Sequence, residues 1–298
     1  MKTIENNKAF LGLSDEQAAS YQNAKCVIIP FGLEKTVTFG KGTTNGPKAI
    51  LAASHEVELF DEVLWCEPYE KIGIVTLESP TIADTSEAAV KQLADLVSEV
   101  VDADKFALTL GGEHTLTAGA IAPYLAKHPD LVILHFDAHA DLRDGYNGEY
   151  FSHAAALKCC LDQKPIPLIS LGIRNISKGE AEYYEANKDH IHIYWGKDQA
   201  NWDIDEILSH LKDRPIYLTF DVDAFDSSLM PATGTPEPGG LHWNFVMDII
   251  LKASQTGKIV GADVNELAPK PDLHGCDFLV AKLVYKIISY AFLGKAAR

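Results

Sequence analysis

The stretch Leu131-Val132-Ile133-Leu134-His135-Phe136-Asp137-Ala138-His139-Ala140-Asp141 decides the fold. Its first six residues are apolar on both parities apart from His135, the pattern of a strand buried on both faces, as in a parallel sheet covered by helices. Directly behind them stand Asp137, His139 and Asp141, three metal-capable side chains at alternate positions. Alternate side chains of an extended segment point the same way. In open α/β sheets, sites form beyond the carboxyl ends of the strands.

Working outward, seven more short runs read as strands: Cys26–Ile29, Ile72–Val75, Phe106–Leu110, Leu168–Gly172, Ile191–Tyr194, Ile216–Phe220 and Ile259–Val264. Between them the pattern predicts helices over Asp84–Asp102, Leu116–Ala126, Lys178–Ala186, Asp203–Leu211 and Trp243–Gln255. In Phe278–Leu293 apolar pairs recur every four residues and Lys282 and Lys286 interrupt them, so it reads as an amphipathic helix and not a membrane span. Strand–helix alternation predicts an α/β fold with a mainly parallel sheet. No repeat, low-complexity tract or linker divides the chain, so a single domain over residues 1–298 is expected. Two Gly/Pro-rich loops, Pro30–Pro47 and Asp221–Gly240, are long enough to expect a function for them.

Composition narrows the classes. Acidic residues number 42 and basic ones 26, a net charge of −16, which argues against nucleic acid and against an anionic membrane surface. A hydrophobic content of 47% excludes a disordered chain. Met1–Phe10 is polar, without the apolar run of a secretory signal. Five cysteines, without zinc-type spacing, fit reduced thiols and a cytoplasmic location. Neither a Gly-x-Gly-x-x-Gly turn nor a P-loop follows any strand.

Two more strand ends repeat the theme of the first. Ile216–Phe220 runs into Asp221-Val222-Asp223, and Phe106–Leu110 into Gly111-Gly112-Glu113-His114. Four carboxylates at one sheet edge repel one another unless cations neutralise them. Two divalent ions supply the matching charge. Carboxylate and imidazole donors without thiolate suit manganese or another first-row ion better than a structural zinc. His135 shares the parity of Asp137 and is expected to support it, whereas Cys159 and Cys160 read as core.

The set Gly111-Gly112-Glu113-His114, Asp137–Asp141, Ser152-His153, Asp221–Asp226, Gly234–Gly240 and Asp263–Pro269 resembles the ureohydrolase family of arginase and agmatinase, as does Gly42–Ile50. The resemblance spans about Pro30 to Pro269. It implies a three-layer α/β/α fold with an eight-stranded parallel sheet, two Mn²⁺ per subunit and assembly as a homotrimer or homohexamer. By the same resemblance Asp137 and Asp221 bridge the ions, His114 and Asp141 complete one coordination shell, and His139 and Asp223 the other. Glu266 is implied to hold the guanidinium of a small substrate, Asp141 to sit beside the attacking water, and His153 to shuttle a proton. The implied activity is hydrolysis of a guanidino compound to urea and an amine.

Arginases follow the Asp-x-His-x-Asp triplet with an Asn- and Ser-containing loop. Here Leu142–Ser152 departs from that pattern and is similar to the agmatinase branch, which implies agmatine as the substrate and putrescine as the amine, a polyamine-forming step. Asp144 and Glu149 would suit a cationic tail, Arg143 or Lys41 an anionic one. Ala154 after His153, and Asn265 and Leu267 around Glu266, differ from the branch's usual residues. Guanidinobutyrate- and guanidinopropionate-type ureohydrolases, arginase and formiminoglutamase are the enzymatic alternatives. A non-catalytic metal-binding homologue would be marked by loss of a ligand or of Glu266, and none is lost.

Overall fold

A computed structural model of the protein describes residues 1–297. Its frame is one sheet of eight parallel strands: β1 (Cys26–Phe31), β2 (Ile74–Thr76), β3 (Phe106–Gly111), β4 (Val132–Phe136), β5 (Leu168–Ile173), β6 (Ile191–Trp195), β7 (Pro215–Asp221) and β8 (Lys258–Asn265). Their spatial order is β2-β1-β3-β8-β7-β4-β5-β6. All eight expected strands are present. The second starts later than expected, because Pro68 opens a short helix, Pro68–Ile72, that takes up Ile72.

Side chains alternate between two buried layers, as the period of a strand requires. Val132, Leu134 and Phe136 of β4 and Ile216, Leu218 and Phe220 of β7 face one apolar cluster, while Ile133 and Tyr217 face the other. Phe136 and Phe220 stack across the strand pair with centroids 5.1 Å apart. Each such fully buried side chain contributes about 1.5–3 kcal/mol. The helix His274–Leu293 covers the first cluster, and Ser86–Asp102 the second, bringing Val280, Leu283, Val284 and Ile287, and Leu93, Val97 and Val100, to the two faces. This is the three-layer arrangement.

The helices differ from expectation in two places. The Leu116–Ala126 segment is not one helix but two, Thr117–Ala120 and Ala122–Lys127, because Pro123 lacks an N–H and restarts the second at its first turn. The Pro30–Pro47 loop ends sooner than expected, since Gly46 and Pro47 open the helix Gly46–Ser54. No described helix is long and apolar enough to cross a membrane. Among the described residues the five cysteines are free, and Cys26, Cys159, Cys160 and Cys276 are buried.

Candidate active site

The four central strands β3, β8, β7 and β4 are contiguous, and the candidate residues stand at their carboxyl ends. His114 follows β3, Asp137–Asp141 follow β4, Asp221 closes β7 with Asp223 just beyond, and Glu266 follows β8. Residues far apart in sequence meet here: β3 and β8 lie side by side although about 150 residues separate them.

Two foci emerge. The first is His114 Nδ1, which lies 3.1 Å from Asp137 Oδ2, 3.2 Å from Asp141 Oδ2 and 3.4 Å from Asp221 Oδ2. The second is His139 Nδ1, 3.1 Å from Asp223 Oδ2 and 3.5 Å from Asp137 Oδ1. Backbone amides fix the ligand carboxylates: Asp137 Oδ1 accepts from His139 N–H at 2.6 Å, Asp221 Oδ1 from Asp223 N–H at 2.8 Å, and Asp223 Oδ1 from Ala138 N–H at 3.0 Å. That leaves Oδ2 of each facing a focus. Asp141 is held at φ 53° and Glu266 at φ 67°, in the left-handed region that non-glycine residues avoid. Strained backbone at these two positions aims their side chains inward.

A buried polar row supports the foci from below. Thr109, Asp263, Thr219, His135 and Ser170 sit side by side across five strands, one step of two residues beneath Asn265, Asp221 and Asp137. Thr219 donates its hydroxyl to Asp263 Oδ1 at 2.6 Å, so its oxygen accepts from His114 Nε2–H at 2.8 Å. Asp263 also receives the Tyr217 and Thr117 hydroxyls and the Asn265 amide. With the proton on Nε2, the lone pair of His114 is on Nδ1, a buried atom without a hydrogen-bond partner, aimed at three carboxylate oxygens. His135 spans Ser170 at 2.9 Å and Asp137 Oδ2 at 2.8 Å, which is the supporting position expected for it.

The electrostatics ask for a cation. Burial opposes charge on His114, yet the carboxylates of Asp137, Asp141 and Asp221 gathered around Nδ1 favour a positive charge there and lift its imidazole well above the usual range, a charge that a bound cation would supply in place of a proton. Burial and the neighbouring Asp137 push Asp141 up to about 7. Burial, Asp223 and Asp137 push Asp221 well up. Orphaned Nδ1 and crowded oxygens therefore fit divalent ions: Asp137, His139 and Asp223 are close enough to share one, as are His114 and Asp137 beside His135, whose own nitrogens are engaged by Ser170 and Asp137.

Both foci open into one cavity of about 190 Å³, lined by Glu266, His153, Arg143, Tyr146 and Glu237 among others. Glu266 is buried. Its N–H donates to Gly112 O at 2.8 Å and its Oε1 accepts from His114 N–H at 2.7 Å. Gly112 is required beside it, because a Cβ there would stand 2.0 Å from Leu33 O. The two long loops close over this point, Gly40 N–H reaching Gly234 O at 3.2 Å. Asp144, Glu149 and Lys41, offered by the sequence for a substrate tail, do not line the cavity. Arg143 does, but it lies 3.5 Å from Glu180 and stacks on Tyr146. Glu237, which sequence reading passed over, lines the mouth and accepts from Asn175 Nδ2 at 2.7 Å. Its place in the Gly234–Gly240 run was the signal in the sequence; in the fold Arg174 donates to its carbonyl at 2.8 Å.

A parallel α/β/α sandwich with histidine–carboxylate groups able to hold metal at its central strand ends defines a hydrolase scaffold. Comparison with known proteins agrees: the arginase family matches residues 24–289, and the chain belongs to that family. It is 33% identical over 289 residues to N(1)-aminopropylagmatine ureohydrolase of Synechocystis sp., covering 93% of this chain and 92% of that protein. It is 34% identical over 255 residues to agmatinase of Bacillus cereus, covering 85% and 87%. The crystal structure of agmatine ureohydrolase of Thermoplasma volcanium superposes with a TM-score of 0.83 at 27% identity, covering 96% of this chain and 94% of that one.

Proposed function

We propose that this protein hydrolyses the guanidinium group of a linear substrate with a cationic tail, agmatine or its N(1)-aminopropyl derivative, to urea and the corresponding amine. The observation that carries the reading is the carboxylate of Glu266 in the same cavity as the two histidine–carboxylate foci. His114, Asp137, Asp141 and Asp221 would hold one manganese ion, and His139 and Asp223, with Asp137 and Asp221 shared, the other. When bound, the pair supplies a water of lowered pKa at the foci.

The chain's own residues do the rest. Glu266 meets the guanidinium as a planar, charge-assisted partner and fixes its carbon over the foci. Water adds its oxygen to that carbon, and the bond to the substituted nitrogen breaks. Both hydrogens of the consumed water finish on the leaving amine. Asp141 accepts one from the attacking water and passes it to the departing nitrogen, His153 as imidazolium delivers the second proton to that nitrogen, and the water's remaining hydrogen restores His153 to imidazolium. The tail leaves past Glu237, whose carboxylate suits an ammonium, while Arg143 is engaged by Glu180 and Tyr146. That favours agmatine-type substrates over guanidino acids.

The same reading makes the protein a cytoplasmic homotrimer or homohexamer in a polyamine-forming step, with support from the family resemblance alone. Metal analysis tests the core. The wild type should hold two manganese ions per chain, and Asp141→Ala should hold fewer and release no urea. One ion or none in the wild type, or urea at the normal rate from the variant, contradicts the assignment.

A further inference from the structure

Behind the cavity wall lies a second carboxylate–hydroxyl–imidazole chain, built like Asp263–Thr219–His114 but ending on His153, which lines the cavity. Glu113 is fully buried and carries five donors. Its Oε2 accepts the backbone N–H groups of Lys35 at 2.8 Å, Thr36 at 2.7 Å and Val37 at 3.3 Å. Its Oε1 accepts the hydroxyls of Thr36 at 3.0 Å and Thr115 at 2.7 Å. The Thr36 oxygen in turn lies 2.9 Å from His153 Nδ1 and accepts His153 N–H at 3.1 Å.

Proton counting fixes the direction. The Thr36 hydroxyl has one hydrogen and the carboxylate none, so that hydrogen goes to Glu113. Both lone pairs of Thr36 are then filled by His153, one by its backbone N–H and the other by Nδ1–H. The nitrogen left free for a reacting proton is Nε2. We infer that Thr36, anchored by Glu113, is a positioning residue that holds His153 in the Nδ1–H form and presents Nε2 to the substrate. The inference rests on His153 being the proton donor to the leaving amine.

The geometry explains why Glu113 is a carboxylate. It ties down three successive amides of the loop after β1, so the loop carrying Thr36 is set at the site by the same group that orients the imidazole. It also places negative charge behind His153. Burial holds the His153 imidazole below its usual range, and the Glu113 charge offsets part of that lowering. Tyr146, edge-on to the ring at 5.5 Å, limits its swing from the other side.

The test is a cycle of variants on the manganese-loaded enzyme with agmatine. Thr36→Val keeps the side-chain volume and removes the hydroxyl. It should lower kcat about 10- to 100-fold, by analogy with the loss when the partner that orients a metal-ligating histidine is removed. KM should move less than about threefold, because uniform binding is untouched. Thr36→Ser should restore most of the rate. In a His153→Asn background, Thr36→Val should cost nothing further. A Thr36→Val enzyme with wild-type kcat overturns the relay, and so does one with only a raised KM, or one whose loss adds in full to that of His153→Asn. If His153→Asn itself leaves kcat intact, the role of His153 fails, and the relay with it. Thr36→Val inert beside a crippled His153→Asn removes the relay alone.

Discussion

Asp141 and Glu266 occupy left-handed backbone with φ of 53° and 67°, and both line the cavity. Such conformations cost of order 1–3 kcal/mol each and persist where surrounding structure over-determines them. Around Glu266 that structure is the Gly112 carbonyl and the His114 amide, each within 2.8 Å. Glu266→Gln keeps the shape and the hydrogen bond from His114 but removes the charge. It should retain manganese and lose about 10- to 100-fold in kcat/KM, the weight of one charge-assisted hydrogen bond. Metal analysis alongside urea release checks both halves, and unchanged kcat/KM contradicts the assignment. Five of the six metal-ligand candidates were legible because alternate spacing after an apolar run is a local signal, and His114 because it follows such a run directly behind Gly111-Gly112. Glu266 was not legible that way, since a glutamate beyond a strand looks like any loop residue until β8 is seen beside β3.

At the scale of elements, strand ends act in pairs. β7 and β8 run in register from Tyr217 and Gly261 to Asp221 and Asn265, which is what brings Thr219 and Asp263 together beneath His114. Asp263 accepts four side-chain donors and has none to give. Asp263→Asn introduces a donor among donors and frees the Thr219 hydroxyl to turn on His114. It should weaken manganese affinity about 10- to 100-fold, as removal of an outer partner of a ligating histidine does. Equilibrium metal titration measures this, and unaltered affinity contradicts the relay's role. The eight strands were readable because parallel strands buried on both faces stand out as apolar runs. Strand order was not, because register across distant segments leaves no local trace. The helix Gly46–Ser54 hid behind the loop's glycines, although Pro47 at its first turn signalled a start.

Across the whole molecule, a chain of net charge −16 concentrates buried acid at one sheet edge, where Asp137, Asp141, Asp221 and Asp223 all lie within the fold. Bound cations then stabilise the folded state by mass action, about 2.7 kcal/mol per site at a hundredfold excess over Kd. Chelation should lower Tm by several degrees and manganese should restore it; calorimetry with and without chelator reads this directly, and an unmoved Tm contradicts a buried binuclear centre. In the proposed reading the field and the mouth also set the substrate, because Glu237 is offered to the tail while Arg143 lies 3.5 Å from Glu180. One measurement tests that claim most directly: initial rates of urea release by manganese-loaded protein from agmatine, N(1)-aminopropylagmatine, arginine and 4-guanidinobutyrate in parallel. The predicted result is kcat/KM at least tenfold higher for one of the two cationic-tailed substrates than for arginine or the guanidino acid. A preference for arginine or 4-guanidinobutyrate, or no urea from any of the four with two ions bound, would contradict it.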